Sequence, residues 1–227
     1  MTEAASESLA IRVDATHSVS GLWQRPSSVR CALALAPGAG AGITHAFMAD
    51  MAGLLAERRI ATLRYQFPYM EKGSKRPDPP ALAHATVRAA VAEAAKACPG
   101  LPLIAGGKSF GGRMTSQAQG KAPLEGVKGL AFFGFPLHPA GKPSAERAAH
   151  LAEVKLPMLF LQGTRDTLAE LSLLEPVIRG LGRNATLHRA EGADHSFHVL
   201  KSSGRNDREV LAEILGAFAT WVDAVVG

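Results

Sequence analysis

The chain has 227 residues, of which 47% are hydrophobic and 20% are charged, and its formal net charge is +5 at pH 7. A chain of this length and apolar content can bury one substantial core, so we expect a single domain over residues 1–227, with residues 1–8 as a flexible N-terminus. The basic residues are scattered rather than clustered, which argues against nucleic-acid binding and favours a solvated basic surface that could suit anionic substrates.

Neither a membrane span nor a targeting segment is expected. No apolar run approaches the roughly 20 residues that a membrane span needs, and the N-terminal stretch MTEAASESLA has neither a basic head nor an apolar signal core. We therefore expect a cytoplasmic protein that does not bind membranes. Cys31 and Cys98 stand singly, without the spacing of a disulfide or a metal site, and are interpreted as buried apolar residues.

The first two predicted elements form a hairpin. LAIRV (9–13) and VSGLWQ (19–24) both have a period of two and are joined by a short polar linker, which predicts an antiparallel pair of strands. The rhythm then changes, because ITHAFMADMAGLLAERR (43–59) places Phe47, Met51 and Leu54 on one helical face after the apolar segment 29–37. The unit predicted there is a strand followed by an amphipathic helix.

This unit repeats to the end of the chain. The predicted strands after the hairpin are 29–37, 60–65, 101–106, 127–135, 156–163 and 184–190. The predicted helices are 43–59, 80–97, 110–119, 144–153, 168–180 and a C-terminal one behind the candidate cap Asp207. Such alternation implies an α/β fold with right-handed crossovers, a mostly parallel sheet with helices on both faces, and the hairpin at one edge. Irregular sequence is confined mainly to 66–80 and 134–144.

The segment LIAGGKSFGGR (103–113) contains two overlapping motifs. Gly107-Lys108-Ser109 is how a nucleotide-binding phosphate loop ends, whereas Gly107 to Gly111 is a Gly-x-Ser-x-Gly nucleophile elbow. A phosphate loop needs a glycine where this chain has Pro102, and proline has no amide hydrogen to offer a phosphate. The sequence therefore predicts no nucleotide site.

The elbow interpretation fits its surroundings. LPLIAG supplies a strand before Ser109, and FGGRMTSQAQ begins a helix after it. Glycines two residues before and two after the serine, Gly107 and Gly111, are needed because side chains there would clash. This context makes Ser109 the candidate nucleophile, although a surface or turn serine remains the alternative.

A nucleophilic serine also needs a base and an acid that orients it. On open α/β sheets these residues arrive in the order Ser, Asp, His, from loops at the carboxyl ends of strands. Asp166 follows LPMLFLQG, and His195 follows NATLHRA in the next such loop. We predict Asp166 as the acid and His195 as the base; a helix N-cap ahead of Leu168 and a structural histidine are the respective alternatives. Asp194 is a second candidate acid.

Two backbone amides are expected to stabilise the oxyanion. The first belongs to Phe110, directly after the nucleophile, and the second to the glycine-rich loop 37–42 after the first parallel strand, where position selects Ala39. A merely structural tight turn is the alternative for that loop.

Three further residues are assigned to a candidate substrate pocket: Gly38, Lys108 and His138. The other histidines, at 17, 45, 84, 150, 188 and 198, are expected to be mostly surface groups. No spacing of His, Cys, Asp or Glu indicates a metal, and we predict neither a metal nor a cofactor.

Several segments together resemble a known family. They are LALAPGAGAG, LRYQFPYMEKGSKRPD, LIAGGKSFGGRM, GLAFFGFPLHPAGKP, LFLQGTRD and GADHSF. From about residue 10 onward the chain is similar to the small α/β-hydrolases near dienelactone hydrolase, particularly the bacterial branch similar to the animal testis-expressed and histone-acetyltransferase-complex hydrolase-like proteins. The resemblance implies an eight-stranded α/β-hydrolase sheet with Ser109, Asp166 and His195 at the triad positions. Many relatives begin the oxyanion loop with His-Gly, where this chain has Pro37-Gly38.

The sequence thus predicts a single-domain serine hydrolase that acts on an ester, thioester or similar acyl bond of a small molecule. The alternative is a catalytically weak interaction scaffold that keeps the same fold. The segment 64–78, with Arg64, Tyr69 and Arg76, also resembles the branch but receives no role from it. Substrate identity and oligomeric state do not follow from the sequence.

Overall fold

The computed structural model, which describes residues 6–227, folds around one eight-stranded sheet. The strands are β1 (Ser6–Arg12), β2 (Ser18–Gln24), β3 (Cys31–Ala36), β4 (Ile60–Tyr65), β5 (Leu103–Lys108), β6 (Val127–Phe133), β7 (Met158–Gly163) and β8 (Ala185–Ala190). The helices are α1 (Ala46–Glu57), α2 (Pro68–Glu71), α3 (Pro80–Ala97), α4 (Phe110–Lys121), α5 (Leu171–Leu181) and α6 (Asp207–Val226). Three short 3₁₀ helices lie at Glu146–Glu153, Gly182–Asn184 and Lys201–Ser203.

The sheet order is β1-β2-β4-β3-β5-β6-β7-β8. β1 pairs with β2, and β2 with β4, in the antiparallel sense, whereas every later pair is parallel. The predicted mostly parallel sheet with an antiparallel N-terminal hairpin is confirmed. The chain moves outward from β3 to β4 and then returns to the other side of β3 with β5, so the strand order reverses between β3 and β5. Ligands of open α/β sheets bind at the carboxyl ends of strands beside such a reversal.

The central strands are buried on both faces because helices cover the sheet on each side. In β3, Ala32 and Ala34 enter the core beneath α3, α4 and α5, whereas Leu33 and Leu35 enter the core beneath α1 and α6. Phe132 and Phe133 divide between the two cores in the same way. Alternate residues of a strand point to opposite faces, so these strands must be apolar throughout. This arrangement confirms the prediction of helices on both faces.

The N-terminal boundary differs from the prediction. β1 begins at Ser6, and Ser6, Glu7 and Ser8 pair with Gln24, Trp23 and Leu22 of β2, although their side chains are exposed. Residues 6–8 were expected to be flexible because they carry no apolar side chain, but backbone pairing with β2 orders them without one. The rest of that expectation, on residues 1–5, lies outside the described residues.

Two helix starts also differ from the prediction. α6 is capped by Asn206 rather than Asp207: the Asn206 side chain accepts from the Glu209 N–H, and the Glu209 side chain accepts from the Asn206 N–H, which is a capping box. α5 begins at Leu171 rather than near 168, because the Asp166 carboxylate accepts from the Leu168 N–H and holds the preceding residues in a turn.

None of the helices described between residues 6 and 227 is both long enough and apolar enough to span a membrane.

Candidate active site

The predicted site residues lie at the carboxyl ends of strands in the parallel part of the sheet. Ser109 directly follows β5, Asp166 follows β7, and His195 follows β8. Because these strands are parallel, their carboxyl ends share one edge of the sheet, beside the reversal between β3 and β5. The topology therefore brings three residues that are far apart in sequence to one place.

Ser109 occupies a sharp turn between β5 and α4. Its backbone angles are φ 49° and ψ −117°, a conformation that a residue with a side chain rarely adopts. Such strain costs of the order of 1–3 kcal/mol and is concentrated at functional sites. The glycines beside it make the turn sterically feasible: a Cβ on Gly107 would lie 2.5 Å from the Ala36 carbonyl oxygen, and one on Gly111 would lie 2.5 Å from that of Pro37.

A prediction follows from this close approach of β3 and β5. Gly107→Ala is expected to destabilise the fold by about 3 kcal/mol, the upper end of the usual cost of overpacking, because its Cβ would meet backbone atoms that cannot move aside like a flexible side chain. Gly53→Ala is the matched control: Gly53 lies within α1 with open space around its Cβ position, so alanine should stabilise by about 0.5–1 kcal/mol. Urea denaturation followed by circular dichroism measures both, and an unchanged midpoint for Gly107→Ala would contradict the close approach.

The three predicted triad residues form a continuous hydrogen-bonded line. His195 Nε2 lies 2.8 Å from Ser109 Oγ, and His195 Nδ1 lies 2.7 Å from Asp166 Oδ2. Because the ionised carboxylate can only accept, the proton of the neutral imidazole resides on Nδ1, and Nε2 is left as an acceptor for the serine hydroxyl. The arrangement can remove a proton from Ser109 as its oxygen attacks an electrophile.

Asp166 is held from two further sides. It is only 3% exposed; Gln162 Nε2 donates to the same Oδ2 at 2.5 Å, and the Leu168 N–H donates to Oδ1 at 2.8 Å. Gln162 is itself fully buried, and its Oε1 accepts from the Phe135 N–H at 2.9 Å. Sequence reasoning missed Gln162, although one amide at the end of the otherwise apolar strand LPMLFLQG was a signal that could have identified it. Asp166 does not cap α5, whose N-cap is Glu170.

Asp194, the second candidate acid, makes other contacts. Its Oδ1 accepts from the backbone N–H of Ser196 at 2.8 Å and of His198 at 3.0 Å. These bonds close the turn that carries His195, and the imidazole is bonded to Asp166 instead. Asp194 therefore shapes the loop, whereas Asp166 contacts the ring.

The two predicted oxyanion donors belong to segments that flank Ser109. Phe110 is the first residue of α4, and Ala39 lies in the loop after β3, next to Gly38, whose Cβ position is 3.8 Å from Ser109 Cβ. Within residues 6–227, neither the Phe110 nor the Ala39 amide donates to an acceptor in the protein. Amides at a helix N-terminus carry partial positive charge, which favours an anion. The pairing of these two amides as an oxyanion hole stays a prediction.

Tyr69 anchors the loop after β3 at the carbonyl group of Ala39. Its hydroxyl donates to the Ala39 carbonyl oxygen at 2.8 Å, and its ring lies 6.3 Å from that of Phe110 in an edge-on arrangement. Burial raises the pKa of Tyr69 to about 12, so the hydroxyl remains a donor through the physiological range. Sequence analysis noted Tyr69 without assigning it a role, because its partner lies 30 residues earlier in the chain.

The candidate pocket residues have different surroundings. Gly38 is buried beside the nucleophile, with its Cβ position 3.5 Å from Lys108 Cγ. The Lys108 ammonium donates to the backbone carbonyl of His195. His138, by contrast, is fully buried; its Nδ1 bonds to the Pro139 carbonyl at 2.9 Å, and its Nε2 lies 3.2 Å from a Glu170 carboxylate oxygen. The structure buries the ring among these partners, and the assignment of His138 to a substrate pocket stays a prediction.

An open cleft of about 540 Å³ adjoins this region. It is lined by Tyr69, Lys72, Ser74, Arg76, Pro77, Asp78, Pro79 and Pro80. Tyr69 is shared between the cleft and the Ala39 loop, so the cleft lies one side chain away from the predicted oxyanion donors. The Asp78 carboxylate accepts a hydrogen bond from the Tyr69 N–H. This bond holds the carboxylate in the cleft that the basic residues Lys72 and Arg76 also line.

The Gly-Lys-Ser tripeptide lies in the elbow and not in a phosphate loop. Pro102, at the position where such a loop needs its first glycine, immediately precedes β5, and no loop separates it from the strand. We expect ATP and GTP not to bind, with or without magnesium. Titration calorimetry checks this expectation, which saturable micromolar binding would contradict.

Within residues 6–227, no group of three or more His, Cys, Asp or Glu side chains is arranged to hold a metal ion. The expectation of no metal and no cofactor stays a prediction.

The sheet order and the helices on both faces define an α/β-hydrolase fold, and a comparison with known families agrees. A family model described as "Alpha/beta hydrolase domain" matches residues 29–223. The chain belongs to this family of alpha/beta hydrolase domains.

Solved structures share the fold at low sequence identity. Dienelactone hydrolase from Anabaena variabilis is 18% identical, with a TM-score of 0.79 and 98% of this chain and 99% of that chain covered. XC6422 from Xanthomonas campestris, a member of the a/b serine hydrolases without a lid, is 20% identical, with a TM-score of 0.73 and 99% and 95% covered. Est1E from Butyrivibrio proteoclasticus is 14% identical, with a TM-score of 0.71 and 96% and 99% covered. At these identities the likeness establishes the fold.

Proposed function

We propose that the protein is a serine hydrolase that cleaves an ester, thioester or related acyl bond. The observation that carries this proposal is the hydrogen-bonded line Asp166–His195–Ser109 on an elbow at the point where the strand order reverses. Nucleophile, base and acid lie within the distances that nucleophilic catalysis needs. Family membership and the fold of the structural relatives support the same class of reaction.

The proposed reaction has two halves. Ser109 Oγ attacks the acyl carbon while His195 Nε2 takes the hydroxyl proton, and Asp166 stabilises the imidazolium that forms. His195 then gives that proton to the leaving group as its bond to the acyl carbon breaks, which leaves an acyl group on Ser109. A water molecule then gives a proton to His195 and attacks the acyl carbon. The bond from that carbon to Ser109 Oγ breaks, and His195 returns the proton to Oγ, which restores the serine hydroxyl.

The amides of Phe110 and Ala39 are proposed to stabilise the negative oxygen of both tetrahedral intermediates. Loss of one such donor in a serine hydrolase typically costs about 3–4 kcal/mol of transition-state stabilisation. The bond from Tyr69 to the Ala39 carbonyl supports this assignment, since it anchors the loop at the residue whose N–H is the second donor.

The substrate is proposed to be a small acyl compound that approaches an open site. The stretch 134–144 is too short for a lid domain, and the cleft beside Tyr69 opens to solvent. We propose no nucleic-acid or membrane partner. A cytoplasmic location is proposed as well, because buried free thiols such as those of Cys31 and Cys98 persist most readily in a reducing compartment. Within its family, we propose that the chain belongs to the branch similar to the testis-expressed and histone-acetyltransferase-complex hydrolase-like proteins.

The test is covalent labelling with a fluorophosphonate probe, followed by peptide mass spectrometry to locate the adduct. We expect modification of Ser109 alone. An adduct on another serine would move the active site elsewhere. A folded protein that remains unlabelled would favour the alternative function, an interaction scaffold with the same fold.

A further inference from the structure

Lys108 is the last residue of β5 and directly precedes Ser109, yet its side chain turns toward the loop that carries His195. Its ammonium donates a hydrogen bond to the backbone carbonyl of His195. The next residue, Ser109, therefore carries the nucleophilic hydroxyl, whereas Lys108 contacts the backbone of His195, the proposed base. The bond joins two segments that are 87 residues apart in sequence.

The surroundings of this ammonium are shaped to hold it. The Phe197 ring lies beneath Nζ, with its centroid 5.4 Å away, a distance at which a cation and a ring face attract each other. Phe197 itself has a φ of 62° and stacks on Phe47 at 6.0 Å, so its ring is held from both sides. Space for the ammonium depends on Gly134, because a Cβ there would lie 2.9 Å from Nζ.

This position is costly for a charged group. Burial lowers the pKa of Lys108 from its ordinary value of 10.5 to about 8, even though the carboxylates of Asp166 and Asp194 act to raise it. The Phe197 ring and the His195 backbone carbonyl, which contact the ammonium, carry no titrating proton, whereas the His195 imidazole lies nearby, with its Cε1 3.5 Å from the Cβ position of Gly134. The charged ammonium is thus kept at a partly buried position, where the His195 carbonyl and the Phe197 ring are its contacts.

We propose that Lys108 is a positioning residue of the reaction, whose ammonium ties the His195 backbone to the strand end that carries Ser109 and so holds Nε2 within hydrogen-bonding distance of Oγ. The inference rests on the proposed serine hydrolase function. Other bonds to this loop come from the end of β7, such as that from the Arg165 N–H to the Ala193 carbonyl at 2.8 Å, and from α6, where Asp207 accepts from the Val199 N–H at 3.0 Å. Lys108 joins the loop to β5 itself, so it sets the distance between base and nucleophile.

The test compares Lys108→Met, which keeps the length of the apolar stem and removes the donor, with wild type. Lys155→Met is the matched control, because Lys155 also donates to a backbone carbonyl, that of Ala152 at 2.9 Å, but is exposed on the loop before β7. For Lys108→Met we expect kcat on short activated esters to fall about 10- to 100-fold with KM changed less than threefold, since small misplacements of a catalytic group have effects of this size. The control should match wild type.

Stability separates positioning from a structural role. At pH 7 the urea midpoint of Lys108→Met should equal or exceed that of wild type, because the variant buries no charge. Between about pH 8 and 10.5 the unfolded chain binds a proton at Lys108 that the folded chain does not, so wild-type stability should rise relative to the variant through this window. An unchanged kcat, or a joint fall of kcat and stability, would overturn the proposal.

Hydrogen exchange provides a measure that does not depend on activity. Amides of residues 193–199 should exchange faster in Lys108→Met than in wild type and in Lys155→Met. Unchanged exchange would show that the hydrogen bond from Lys108 to the His195 carbonyl does not hold the loop, and would overturn the proposal whatever the kinetics show. If Lys108→Met exchanges faster but the wild type neither hydrolyses esters nor reacts with the fluorophosphonate, the proposed function is overturned. The role of the bond from Lys108 to the His195 carbonyl in holding the loop would then still stand.

Discussion

Ser109→Ala is expected to abolish both fluorophosphonate labelling and the hydrolysis of short activated esters, with kcat reduced by about 10⁴- to 10⁶-fold. Alanine at this position has no oxygen to attack the acyl carbon, so the bond that defines the first half-reaction cannot form. His195 and Asp166 remain, but without the nucleophile they have no hydroxyl to activate, because the three residues act as one unit. Steady-state ester kinetics and gel detection of the probe measure the two losses.

Ser196→Ala is the matched control for this variant. Ser196 follows His195 directly and is exposed, so a probe that reacts indiscriminately with serines would reach it. We expect this variant to label and turn over like wild type. If Ser109→Ala retained activity while its circular dichroism spectrum stayed native, another nucleophile would have to be sought.

Asp166→Asn is expected to lower kcat by about 10⁴-fold while the fold survives, as in other Ser-His-Asp enzymes. Gln162 and His195 both bond to Oδ2, whereas the Leu168 N–H donates to Oδ1, so an asparagine that keeps its oxygen toward the Leu168 N–H places its amide toward His195. The amide would then donate to Nδ1, which moves the ring proton to Nε2 and leaves no acceptor for the Ser109 hydroxyl. Ester kinetics should show the loss in kcat, with thermal denaturation as the check on folding.

Asp194→Asn provides the comparison that decides between the two candidate acids. An asparagine oxygen can still accept from the Ser196 and His198 amides, so the loop should keep its shape and kcat should fall less than tenfold. The reverse ranking, with the larger loss in Asp194→Asn, would transfer the orienting role to Asp194.

Local patterns in the sequence were sufficient for the fold class and for the members of the candidate triad. Apolar runs that alternate with helical periodicity predicted the parallel strands, because a strand buried on both faces must be apolar throughout. Ser109, Asp166 and His195 could be selected since each lies in the turn or loop that follows a strand, and parallel strands bring their carboxyl ends to one edge. In both cases the information lies within about ten neighbouring residues, where periodicity and spacing can be recognised.

Only the tertiary structure decided which side chains support those three residues. Three side chains bond to partners on other elements or across a turn: Gln162 to the Asp166 carboxylate, Tyr69 to the Ala39 carbonyl and Lys108 to the His195 carbonyl. His138 shows the converse, since a polar residue in a loop rich in proline and glycine suggests exposure, yet the packed loop buries it. Composition and spacing describe a residue's own segment, whereas burial and hydrogen bonding depend on which distant segments pack against it, and that is set by the strand order.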